Sequence, residues 1–220
     1  MARVRVKVCC IASRDEADLA VKMGADAVGL VSAMPSGPGP IEEPLIRQIA
    51  DHLPPPVASF LLTSETSADA IADQIRRCRP SVVQLVDWVE PQAIRRLRKS
   101  GFGVRFVQVV HVEDDRAIEA ARLAATEADA ILLDSGRPSL AVPELGGTGR
   151  THDWEVSAEI VRRLAKPVFL AGGLHAGNVA EAVRQVRPYA VDVCSGVRQE
   201  GRLDGKRLGD FIRAVLTASA

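Results

Sequence analysis

Short apolar runs and segments of helical period alternate eight times along this chain. The apolar runs, at 4–9, 26–31, 57–62, 81–85, 104–110, 129–134, 167–171 and 189–194, are dominated by Val, Ile, Leu and Ala. That composition is expected of strands buried on both faces, as in a parallel sheet. Between and after them, 15–23, 42–52, 67–78, 91–99, 114–126, 154–165, 177–186 and 205–217 carry the spacing of amphipathic helices. Boundary residues agree: Ser13 and Asp153 suit helix N-caps, Pro91 suits a first helical turn, and Gly24 and Gly101 suit C-terminal stops. Eight βα units predict an α/β fold of one domain over 1–220, a closed (β/α)8 barrel of the TIM type. Reactive groups in such a barrel stand at the C-terminal ends of the strands. Two long loops, 32–41 and 135–152, fall on that face. Gly24-Ala25-Asp26-Ala27 and Glu127-Ala128-Asp129-Ala130 hint at repetition of a βα unit.

Composition narrows the function classes. With 28 basic and 28 acidic residues the net charge is zero, so no basic stripe calls for nucleic acid. No apolar run approaches the roughly 20 residues that span a bilayer, and the chain enters its first strand without a signal-peptide pattern, so a cytoplasmic protein away from membranes is expected. The four cysteines fit no zinc template, and the histidines His52, His111, His152 and His175 form no ligand pair, so no metal site is expected. Trp88 and Trp154 are read as packing residues. The charge balance leaves monomer and homodimer open.

Candidate chemistry follows from the pattern. Alternation along strand 1 puts Val4, Val6 and Val8 on one face and Arg5, Lys7 and Cys9 on the other. The apolar face packs on helices, so Lys7 and Cys9 point into the barrel, Cys9 at the upper rim. An ammonium beside a thiol favours the thiolate, which makes Cys9 a candidate base or nucleophile; a buried inert Cys with a structural Lys is the other reading. Asp134 ends strand 6 after four apolar residues, placed for a general acid or base or for a turn cap. Gly172-Gly173 and Ser195-Gly196 follow strands 7 and 8, where these barrels commonly bind phosphate, and Gly146-Gly147-Thr148-Gly149 lies in the loop after strand 6. The phosphate candidates are Gly147, Gly149, Gly172, Gly173, Ser195 and Gly196. No dinucleotide or P-loop motif is present.

Taken together these segments resemble the phosphoribosylanthranilate isomerase family. Its Lys-(Ile/Val)-Cys-Gly-Ile-Thr opening stands here as Lys7-Val8-Cys9-Cys10-Ile11-Ala12, and its Leu-Leu-Asp as Leu132-Leu133-Asp134. Its Gly-Gly-Thr-Gly loop and Asp-Trp stand as Gly146 to Gly149 and Asp153-Trp154. The chain then continues with Leu170-Ala171-Gly172-Gly173-Leu174, Asn178-Val179 and Asp192-Val193-Cys194-Ser195-Gly196-Val197-Arg198. The resemblance covers nearly the whole chain. It implies an Amadori rearrangement of a small sugar-phosphate substrate, N-(5′-phosphoribosyl)anthranilate, in tryptophan biosynthesis. Asp134 would act as general acid, Cys9 as base and Lys7 in support, without any cofactor.

The chain also departs from that pattern. The family's Ser-Pro-Arg after strand 2 is replaced by Pro35-Ser36-Gly37-Pro38-Gly39-Pro40, without the Arg placed to pair with the anthranilate carboxylate. Gln-Leu-His-Gly becomes Gln84-Leu85-Val86-Asp87, the Gly after the catalytic Cys becomes Cys10, and a Glu becomes Arg198. Arg198 or Arg105 is expected to supply the missing cation. Two readings compete with the isomerase: a related barrel isomerase for another phosphorylated sugar or aminosugar, and a barrel that binds a sugar phosphate without turnover. Retention of both Cys9 and Asp134 speaks against the latter.

Overall fold

The structure is a computed structural model that describes residues 3–35, 37–136 and 152–219. Strands β1 (Arg5–Val8), β2 (Ala27–Val31), β3 (Ala58–Thr63), β4 (Val82–Leu85), β5 (Arg105–His111), β6 (Ala130–Asp134), β7 (Val168–Leu170) and β8 (Ala190–Val193) close a barrel in sequence order. All neighbours are parallel, and β1 pairs with β8 in the register Lys7 to Asp192 and Val8 to Val193. Helices α1 (Arg14–Met23), α2 (Glu43–His52), α3 (Ala68–Cys78), α4 (Pro91–Lys99), α5 (Arg116–Ala124), α6 (Trp154–Arg163), α7 (Val179–Val186) and α8 (Gly205–Ser219) form the outer layer. The expected (β/α)8 barrel is the fold observed.

The alternation reads out as two packing layers. Val4, Val6, Val8, Val28, Leu30, Leu61, Ile131 and Leu133 face outward into the strand–helix core. Cys9, Ala27, Val31, Phe60, Leu62, Val107, Leu132 and Phe169 fill the barrel interior. The expected caps form. Ser13 accepts from the Glu16 N–H, Asp153 accepts from the Glu155 N–H, and Gly24 closes α1 with a left-handed φ of 98°. Two departures follow local chemistry. Helix α5 is shorter than its periodicity predicts, because Asp114 turns back to accept from the Arg116 N–H. Helix α7 begins after Asn178, whose side chain bonds the backbone at His175 and Gly173. After β8 a 3-10 turn (Ser195–Val197) leads into a small hairpin, β9 (Arg198–Gln199) and β10 (Arg202–Leu203), which the sequence pattern does not announce. Among the described residues, no helix is long and apolar enough to cross a membrane.

Candidate active site

Strand β1 delivers Lys7 and Cys9 to the interior, as alternation requires. The Lys7 side chain is fully buried, with Nζ 2.9 Å from Asp192 Oδ1 and 5.3 Å from the centre of the Phe60 ring. Burial acts to neutralise this ammonium, but the Asp192 carboxylate outweighs it, with Cys9 adding to the effect, so Lys7 is held above its ordinary pKa. Asp192 is the residue that sequence reasoning missed. Its signal was present: in Ala-Val-Asp-Val of β8 it occupies an inward position, level with Lys7 once the barrel closes. Gly29 on β2 makes room for both β1 side chains. A Cβ there would lie 2.8 Å from Cys9 Sγ and 3.0 Å from Lys7 Nζ, so only glycine fits without displacing them.

Asp134 ends β6 and lines the same pocket as Cys9, from the opposite side of the barrel. Its Oδ1 accepts from the Ser135 N–H at 2.7 Å, so it caps its own turn as well. Burial raises its pKa, against the pull of that N–H and of His111, which stands beside it in register on β5. A carboxyl whose proton affinity is raised in this way is a better general acid than an exposed aspartate. Both His111 ring nitrogens and Gln84 Oε1 are buried without a hydrogen-bond partner among the described residues. Asp87 is also raised by burial and faces His111 electrostatically.

The glycine turns complete the mouth. Gly172 and Gly173 have φ of 83° and 61°. Together with Leu174 and Ser195 they line the pocket. A Cβ on Gly172 would meet Ser135 Oγ at 2.9 Å and His152 Nδ1 at 3.0 Å. His152 is held neutral, its pKa lowered to about 4 by burial, with Nε2 2.7 Å from Ser157 Oγ. Gly196 does not line the pocket, but a Cβ there would fall 2.0 Å from the Leu174 carbonyl, so the turn after β8 depends on its absence. Gly147 and Gly149 lie outside the described residues.

Two expectations need correction. Arg198 does not line the pocket. Its guanidinium donates to both Glu16 oxygens at 3.0 and 3.1 Å, and to the carbonyls of Cys9, Cys10 and Gly201. With those donors engaged it ties the hairpin to the loop after β1. Arg105 lies at the opposite end of the barrel, 71 % exposed and paired with Asp129. Among the described residues that line the mouth, none is Lys or Arg. Trp154 packs against the core as expected, whereas Trp88 is exposed and donates to Glu90. Among the described residues, no three His, Cys, Asp or Glu side chains converge to hold a metal ion.

Comparison with known proteins agrees with this geometry. The family model for N-(5′-phosphoribosyl)anthranilate isomerase matches residues 6–214. An isomerase of that name from Methanocella arvoryzae is 41% identical over 96% of this chain and 97% of its own length. Another, from Acidithiobacillus ferrooxidans, is 37% identical over 98% of each chain. The phosphoribosylanthranilate isomerase structure from Thermotoga maritima superposes with a TM-score of 0.83 at 31% identity, covering 96% of this chain and 98% of its own. One family structure, at TM-score 0.79 and 30% identity over 96% and 98% of the two chains, holds reduced 1-(o-carboxyphenylamino)-1-deoxyribulose 5-phosphate. By motif, barrel and match over nearly its whole length, the chain belongs to the N-(5′-phosphoribosyl)anthranilate isomerase family.

Proposed function

We propose that Cys9 and Asp134 are the proton-transfer pair of the Amadori rearrangement that converts N-(5′-phosphoribosyl)anthranilate to 1-(2-carboxyphenylamino)-1-deoxyribulose 5-phosphate in tryptophan biosynthesis. The observation that carries the assignment is the convergence of these two side chains, from β1 and β6, on one pocket at the C-terminal end of the barrel. Protonated Asp134 donates to the furanose ring oxygen. The C1′–O bond breaks while the anthranilate nitrogen lone pair forms the iminium. Cys9, as thiolate, removes the C2′ proton, and the C–H electron pair neutralises the iminium to give the enolamine. Tautomerisation then yields the ketone. Lys7, fixed by Asp192, supplies positive charge beside the Cys9 sulfur. Gly172, Gly173 and Ser195, with the N–H groups of the turn through Gly196, form the phosphate cradle that this reading needs; Gly147 and Gly149 are its further candidates.

The test is turnover of freshly generated phosphoribosylanthranilate by the wild type, Cys9→Ala and Asp134→Asn. Loss of one proton-transfer group is expected to lower kcat by about 10²–10⁴-fold. Undiminished turnover in either variant removes that residue from the mechanism. Activity is also expected to fall as pH rises through the elevated Asp134 pKa, because the acid form is the one consumed. A second reading, an isomerase for a phosphorylated aminosugar without a carboxylate, is favoured by the absence of Lys or Arg among the described mouth residues. Comparing the anthranilate substrate with its aniline analogue separates the two. A strong preference for the carboxylate supports the first reading, and equal kcat/KM supports the second.

A further inference from the structure

Three of the four cysteines gather at the mouth, and only Cys9 has a part in the reaction above. Cys10 follows β1 and Cys194 follows β8, and their Sγ atoms are 2.7 Å apart although both thiols are free. A covalent S–S bond is about 2.05 Å long, so a displacement of under an ångström joins them. The strands that carry them are hydrogen-bonded neighbours, with Cys9 N donating to Val193 O at 2.8 Å. Adjacent strands lie about 4.8 Å apart, inside the Cα separation that disulfides span. Cys10 keeps a side chain at a left-handed φ of 60°, a conformation that glycine would adopt without strain. Cys10 also stands where the resemblance puts a Gly.

We infer that Cys10 and Cys194 form an oxidisable dithiol, a modification site for hydroperoxides, whose closure to a disulfide displaces the wall of the neighbouring pocket. The two thiols differ in proton affinity. The contact with Cys10 favours the Cys194 thiolate, with Arg198 and Lys7 adding positive charge, while Cys10 holds its proton. Both line the pocket, Cys194 half-buried and Cys10 buried. The Cys194 thiolate attacks one peroxide oxygen, forming an S–O bond as the O–O bond breaks and hydroxide leaves. Cys10 sulfur then displaces the second hydroxide from the sulfenic acid, forming S–S as S–O breaks. The two thiol protons leave in the two waters, so two thiols and one peroxide give one disulfide. Closure draws Cys10 Sγ from its 3.5 Å contact with the Pro38 carbonyl, where Gly39 packs so closely that a Cβ would lie 2.7 Å from Cys10 Cβ. The loop after β2 and the adjoining Cys9 therefore shift together. The effect on catalysis rests on the proposed function; the thiol chemistry does not.

The test treats the whole protein with stoichiometric hydrogen peroxide, then maps non-reduced proteolytic fragments and counts thiols after denaturation. A Cys10–Cys194 cross-linked fragment with loss of two thiols is expected, Cys78 staying reduced as the buried internal reference. Cys194→Ser and Cys10→Gly are expected to give no such fragment, and Cys10→Gly relieves backbone strain, so its folding is not in question. Turnover of the cross-linked wild type is expected to fall by about a hundredfold, since a misplacement of about 1 Å can cost that much, and to return with dithiothreitol. Oxidation confined to Cys9, or a disulfide involving Cys9, overturns the assignment of the pair. A cross-linked protein with undiminished turnover overturns the control of the pocket. Reduced protein without isomerase activity that still forms the cross-link counts against the proposed function and leaves the dithiol standing.

Discussion

Asp129 and Asp134 stand at the two ends of one strand, β6, and their carboxyl groups are shifted in opposite directions. Burial pushes Asp129 up, but the Phe106 N–H, Arg98 and Arg105 more than offset it, so its carboxylate is held below the ordinary range. Burial also pushes Asp134 up, and here one N–H and a nearby histidine do not offset it. The same division runs around the barrel. At the N-terminal end Asp26 accepts from the Val6 N–H and pairs with Arg3, as Asp129 does with Phe106 and Arg98, and Arg5 stacks 4.3 Å from the Tyr189 ring centre. At that end both carboxylates are met by an arginine and a backbone N–H. At the C-terminal end one pocket gathers a carboxyl of raised pKa, three thiols and the unpartnered Gln84 oxygen. At one end the carboxylates are matched by donors; at the other, among the described residues, the raised Asp134 is not.

The largest separation of the two ends is expected from Asp134→Asn. It should lower kcat by about a thousandfold while raising the melting temperature at neutral pH. The sign follows from linkage: a carboxyl whose folded pKa is raised favours folding only when protonated, so at higher pH its ionisation opposes folding. The stabilising effect of the variant should therefore shrink as pH falls and vanish below the pKa of an unfolded aspartate. A variant destabilised at pH 7 would contradict this account of the strand end. Asp192→Ala comes next. It strands a fully buried ammonium and should cost about 3–5 kcal/mol in urea unfolding, as loss of one partner from a buried pair does; a cost under 1 kcal/mol would mean that Lys7 has found another partner.

At the opposite end, Asp129→Ala should cost about 1–3 kcal/mol by leaving the Phe106 N–H without its acceptor, with kcat unchanged in the turnover assay. A drop in kcat equal to that of Asp134→Asn would break the division. The smallest effect is expected of Arg3→Ala, whose side chain is 52% exposed. Thermal melts should place it within about 0.5 kcal/mol of wild type, because Asp26 keeps its bond to Val6.

Much of this was legible in the sequence, for a local reason. Helix and strand periods are properties of neighbouring residues, so eight βα units and the inward face of β1 followed directly, and Lys7 and Cys9 went to the barrel interior with them. Asp134 was legible because four apolar residues and a carboxylate end its strand. Arg198 stands elsewhere for the converse reason: its charge does not show that Glu16 and three carbonyls already take its terminal guanidinium donors. The repeated Ala-Asp-Ala segments, weak as a sequence signal, prove to hold Asp26 and Asp129 in matching roles, each accepting from the backbone of the preceding strand.

The sequence alone therefore determined the order of elements, the layer each side chain enters, and the two candidate groups for proton transfer at the strand ends. Only the tertiary structure decided which distant residues meet. Lys7 meets Asp192 across 185 positions and Cys10 meets Cys194 across 184, because β1 closes on β8 in one register. No local period encodes that register. It is set by closure of the sheet and by the packing of both faces at once, and a slip of a single residue would turn Lys7 out of the barrel and away from its carboxylate.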